Sequence, residues 1–141
     1  MGGCTFCSII AGESPAEVVY EDDHVLGFMD ALPMTPGHAL LIPKRHVRDL
    51  LELDFDDGGH LMRGASELGR RLVERLGAKG VNLLNNTGRA ADQSQFHFHF
   101  HLVPRYGGDR LLHPWERTWG DWDEIRSIAA RLRVVVSTLD P

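Results

Sequence analysis

Residues 96–102 read Phe-His-Phe-His-Phe-His-Leu, an unbroken alternation of apolar side chains and imidazoles. In an extended strand, successive side chains point to opposite faces. The run therefore puts His97, His99 and His101 on one face and Phe96, Phe98, Phe100 and Leu102 on the other. One face belongs to a core and the other to chemistry. Residues two apart along a strand are separated by about 6.5 to 7 Å, so the three rings can converge on one ligand, a metal or a phosphate.

The rest of the chain supplies the sheet such a strand needs. Residues 17–21 and 24–30 read as two short strands about the turn Asp22-Asp23, and residues 38–43 as a third. Leu61, Ala65, Leu68, Leu72 and Leu76 recur at helical spacing behind Asp54, with Gly77 as the stop. Residues 81–85 and the histidine run complete five strands, separated by the polar loop 86–94. Asp121 with Glu124 resembles a capping box. The stripe Ile125, Ile128, Ala129, Leu132 and Val136 behind it predicts a buried face on a last helix. Strands with one long helix between hairpin-like groups predict an α+β fold, a mainly antiparallel five-stranded sheet with one long central helix and a C-terminal helix.

A length of 141 residues predicts a single domain, 1–141, whose C-terminal segment from about 109 is less typical. A net charge of -5 argues against a protein that coats nucleic acid, so an anion site must be local. The chain has no apolar run long enough to span a bilayer and no signal-like N-terminus. The expectation is a cytoplasmic protein with neither a membrane nor a nucleic-acid partner.

The loop Asn85–Ser94 offers amides, hydroxyls and backbone N–H groups to phosphate oxygens. Catalytic zinc on all three histidines is the rival use of the same strand. Cys4 and Cys7, the only cysteines, are spaced as a redox pair, as idle thiols, or as half of a tetrahedral zinc site.

His97-Phe-His99-Phe-His101-Leu-Val103, preceded by Asn86-Thr-Gly88 and Gln93-Ser94, resembles the signature of the histidine triad family. Segments 4–13, 20–30 and 37–46 resemble further stretches of that family in order, so that the likeness covers roughly residues 4–108. It implies a nucleotide hydrolase or transferase that cleaves nucleoside 5'-phosphoramidates or related nucleotide conjugates, with a purine nucleotide as partner. His99 is implied as the nucleophile that forms a nucleotidyl-histidine, His101 as the contact to the phosphoryl oxygens, and Ser94 as the group beside the leaving group. Asn86 and Gln93 fall where phosphate and sugar are held, Asp30 where ribose is bound, and Ile9 and Phe28 where a purine pocket is lined. His38 matches a histidine beside the active site.

The resemblance also implies a structural zinc on Cys4, Cys7, His46 and His97, and a homodimer with sheets continued across the interface. Activity on dinucleoside polyphosphates and a low-turnover nucleotide-binding regulator are the alternatives. Asp92 departs from the pattern, standing where the family commonly has glycine, and a carboxylate beside a polyphosphate would repel it. His24, His60 and His113 are expected in surface or packing roles, and Trp115, Trp119 and Trp122 in packing.

Overall fold

A computed structural model describes residues 3–111 and 120–133. The chain divides into two compact units, Met1–Asp109 and Arg110–Pro141. In the first unit, strands β1 (Val18–Glu21), β2 (Val25–Met29), β3 (Ala39–Pro43), β4 (Gly80–Leu84) and β5 (Phe100–Arg105) form one sheet. Their order is β1-β2-β3-β5-β4, and every pairing is antiparallel. The hairpin closes because Asp22 Oδ1 accepts the backbone N–H groups of His24 and Val25.

Helix α2 (Phe55–Leu76) starts where Asp54 accepts the N–H of Asp57 and stops at Gly77, whose φ of 72° is left-handed. Its stripe of Leu61, Ala65, Leu68 and Leu72 packs with Tyr20, Val25, Leu41, Phe98 and Leu102 into the main core. Gly64 lets the helix come close: a Cβ there would meet Leu41 Cδ2 at 3.0 Å and Tyr20 Cε1 at 3.2 Å.

A smaller core on the other side joins Phe28, Leu26, Leu40 and Ile42 to Phe6 of helix α1 (Thr5–Ile10), with Ile9 partly buried against it. Periodicity did not predict α1, since six residues carry too little pattern. A cap supports it instead: Cys4 Sγ accepts the N–H of Cys7 at 3.3 Å.

The histidine run departs from the expected strand. β5 begins only at Phe100, because β3 pairs as far as Leu41↔Phe100 and β4 as far as Leu84↔His101, and residues 95–97 bend instead. Phe98 N–H donates to Val47 O at 2.6 Å outside any ladder. The alternation survives the bend: Phe98, Phe100 and Leu102 join the helix-side core, while the rings of His97 and His99 stand edge-on to Phe6. Phe96 is the exception, half-buried with the Arg89 guanidinium 5.3 Å over its ring.

In the second unit, α3 (Trp122–Leu132) is capped by Asp121, as expected. Its apolar stripe is not the buried face that was expected, since Ile125, Ile128 and Leu132 are exposed. Among the described residues of this unit there is no second helix or strand to cover them. Val136, His113, Trp115 and Trp119 lie outside the described residues. No described helix is long and apolar enough to cross a membrane.

Candidate active site

His99 is 5% exposed, and its Nδ1 lies 2.9 Å from the carbonyl oxygen of His97. A carbonyl oxygen only accepts, so Nδ1 carries the proton and Nε2 keeps its lone pair. Burial holds the His99 pKa below the ordinary imidazole value, against the opposing pull of that carbonyl and of Asp30. At neutral pH the ring is an uncharged base oriented by the backbone.

Its neighbour His101, 4.9 Å away between ring centroids, belongs to a relay. The backbone N–H of Met34 donates to His38 Nδ1 at 3.0 Å, so neutral His38 carries its proton on Nε2. That Nε2 faces His101 Nδ1 at 3.0 Å and Asp30 Oδ2 at 3.4 Å. His101 accepts at Nδ1 and therefore bears its own proton on Nε2, as a neutral donor. Burial, then the neighbouring His99 and His38, push its pKa down to about 4 despite Asp30. Asp30 also does a turn's work, because its Oδ1 accepts the N–H of Leu32 at 2.8 Å.

Cys4 Sγ, Cys7 Sγ, His46 Nδ1 and His97 Nδ1 all lie within 4.8 Å of one another. Three of the sulfur–nitrogen separations are 3.3 to 3.6 Å, and the two nitrogens are 3.2 Å apart. A tetrahedral zinc with its usual bond lengths would place sulfur and nitrogen about 3.5 Å apart and two nitrogens about 3.3 Å apart. His97 Nε2 donates to Pro43 O at 2.8 Å, which turns its Nδ1 lone pair toward the thiols. The four residues fit the metal in donor type and spacing, and His97 fits it in tautomer.

Asp30, His38 and His101 form a second close group of metal-type ligands, and the same test excludes a metal there. Coordination through His38 Nε2 would drive its proton to Nδ1, directly against the N–H of Met34. The geometry is that of a hydrogen-bond relay. The three triad histidines do not converge on one ion either, since His97 turns its lone pair to the thiols and away from His99.

The remaining expected residues lie in the loop before the triad and in the smaller core. Gln93 is 5% exposed, and its amide is committed to the loop itself, accepting from Gly88 N–H and donating to the carbonyls of Arg48 and Gln95. Asn86 is half-buried and Ser94 exposed, and neither side chain is hydrogen-bonded to a triad histidine. Ile9 and Phe28 sit in the small core with Phe6. His24 and His60 stack on each other at 3.8 Å. Asp92 is exposed at φ 65°, the one described non-glycine residue with a left-handed backbone. Sequence reasoning missed Asn85, whose Nδ2 donates to His99 O at 3.0 Å. Nothing in its position separates it from the other polar residues of the loop.

Comparison with known proteins places this arrangement among relatives. The model of the HIT domain family matches residues 11–108. Protein Hit of Bacillus subtilis is 37% identical over 132 residues, covering 92% of this chain and 91% of its own. A zinc-bound histidine triad family protein of Mycobacterium smegmatis superposes with a TM-score of 0.75 at 38% identity, over 92% of this chain and 94% of that one. A histidine triad nucleotide-binding protein of Candida albicans gives 0.80 at 31% identity, over 92% and 94%.

Proposed function

This chain belongs to the histidine triad family of nucleotide-binding hydrolases and transferases, and from that premise we propose that it cleaves nucleoside 5'-phosphoramidates or related nucleotide conjugates through a covalent intermediate on His99. The observation that carries the reading is the bond from His99 Nδ1 to His97 O, which leaves Nε2 as a neutral nucleophile.

In the first step the Nε2 lone pair bonds to the α-phosphorus and the bond from phosphorus to the amine leaving group breaks. The departing nitrogen takes a proton from the side of Ser94. His101, donating from Nε2, stabilises charge on the phosphoryl oxygens, and His38 keeps that proton where it is needed. Water then attacks the phosphorus and gives its proton to the Ser94 side, which lost one in the first step, while the bond from phosphorus to Nε2 breaks, releasing the 5'-monophosphate and returning the lone pair to His99. Asp30 is the ribose contact, Asn86 serves phosphate and sugar, and Ile9 with Phe28 backs the purine. Gln93 serves by bracing the loop through Gly88.

Cys4, Cys7, His46 and His97 would hold a structural zinc, which when bound supplies a closed cross-link and no open coordination position. The zinc-bound Mycobacterium smegmatis relative supports this assignment. Two thiolate ligands suit a reducing compartment such as the cytoplasm.

The chain is also proposed to dimerise through β4. That strand ends the sheet, and beside it an open groove of about 460 Å³ is lined by Met62, Val73 and Leu83, all exposed apolar residues.

The test of the reaction is incubation with adenosine 5'-phosphoramidate, a quench in base, and mass spectrometry of the peptide 96–105. An adenylylated peptide in the wild type, absent in His99→Ala, is the expected result. Turnover that persists in His99→Ala without an adduct would overturn the reading.

A further inference from the structure

We propose that Asn85 is a positioning residue for His99, oriented in turn by Thr87. The inference rests on the covalent role of His99 argued above and extends it.

His99 lies just outside both ladders, which end at Leu41↔Phe100 and Leu84↔His101. A nucleophile on backbone without strand partners needs another restraint. Asn85 is the residue directly after β4, and its Nδ2 donates to the carbonyl oxygen of His99 at 3.0 Å. The side-chain amide thus supplies a bond at the point where the ladder stops supplying one.

The orientation of that amide is itself determined. Leu50 N–H donates to Thr87 Oγ1 at 3.2 Å, so the hydroxyl hydrogen is available to Asn85 Oδ1, 2.8 Å away. With Oδ1 accepting from Thr87, the –NH₂ end must face His99. The nucleophile is therefore held twice, its own carbonyl by Asn85 and its ring by the carbonyl of His97.

The second consequence is coupling. Thr87 belongs to the loop that also carries Asn86, Gln93 and Ser94, so a chain of two hydrogen bonds ties the attacking residue to the loop beside the leaving group. Asn85 spends its donor on the backbone and touches no phosphorus. Its loss should appear in the rate of nucleophilic attack and spare nucleotide binding, since a displacement of about 1 Å suffices to slow chemistry by roughly 10²-fold.

The experiment measures single-turnover adduct formation with adenosine 5'-phosphoramidate, alongside the dissociation constant of adenosine 5'-monophosphate, in four proteins: wild type, Asn85→Asp, Thr87→Val and Thr87→Ser. Asn85→Asp keeps the shape but has no N–H to donate. It should slow adduct formation by about 10- to 100-fold while nucleotide affinity stays within about 2-fold. Thr87→Val should slow it less, and Thr87→Ser should restore the wild-type rate. Circular dichroism and Tm verify folding. If Asn85→Asp does not fold, the Thr87 pair decides alone, because only the hydroxyl distinguishes serine from valine in this role.

Wild-type adduct rates in both Asn85→Asp and Thr87→Val would overturn the proposal. So would Thr87→Ser behaving like Thr87→Val, or affinity falling in parallel with rate. A wild type that turns over substrate without any adduct would instead overturn the nucleophile, and the clamp's catalytic role with it.

Discussion

The carbonyl of His97 accepts the ring proton of His99 at 2.9 Å, while the ring of His97 itself turns its lone pair to Cys4 and Cys7. One residue thus serves the nucleophile with its backbone and the thiol cluster with its side chain. It follows that His99→Gln, which removes the nucleophilic nitrogen but leaves that carbonyl in place, should lower kcat by at least about 10³-fold. Nucleotide affinity, read by calorimetry, should change far less.

The thiol cluster predicts one zinc per chain by elemental analysis. Cys7→Ser should reduce the stoichiometry well below one and lower Tm, and chelator treatment of the wild type should lower Tm in the same direction. A zinc content unchanged by Cys7→Ser would refute the assignment.

The pH dependence of stability follows from His101, whose pKa falls from the ordinary 6.5 to about 4 on folding. Because the folded value is the lower one, the unfolded chain takes up the proton first as pH drops. The stabilisation is complete above pH 6.5, declines between 6.5 and 4, and is exhausted below. For this one group the loss between pH 7.5 and pH 5 is about 2 kcal/mol. Urea midpoints at the two pH values should differ accordingly, and the difference should be smaller in His101→Gln.

Asp92 occupies a left-handed position, φ 65°, that glycine adopts without strain. Asp92→Gly should therefore leave stability within about 1 kcal/mol, relief of strain offsetting the added freedom of the unfolded chain. If its carboxylate repels polyphosphate, kcat/KM should rise selectively for dinucleoside polyphosphates over phosphoramidates, a ratio obtained from parallel assays.

Leu83, exposed on the edge strand, tests the proposed dimer. Leu83→Arg should convert a dimer to a monomer in light scattering at micromolar concentration, because a charge cannot be buried unpaired in an apolar contact.

Much of this was legible in the residues. The five strands, the long helix from Asp54 to Gly77 and the split of histidines from phenylalanines all follow from local period and caps. Four residues distant in sequence, Cys4, Cys7, His46 and His97, came together as the family resemblance implied. The histidine strand was read too long, because its alternation reports which face each side chain takes and not where neighbouring strands cease to pair. Helix α1 escaped because six residues hold less than two turns of pattern. Asn85 and the loop-bracing bonds of Gln93 escaped because both act on backbone atoms, which no sequence motif records.

Phe98 has no exposed surface, and it is covalently flanked by His97, whose carbonyl orients the nucleophile, and by His99 itself. Interior packing and reactivity therefore cannot be altered separately in this stretch. A library that varies the hydrophobic interior for thermal robustness would, at this single position, be scored as a library of enzymatic defects, and its survivors should be screened for turnover before they are screened for heat.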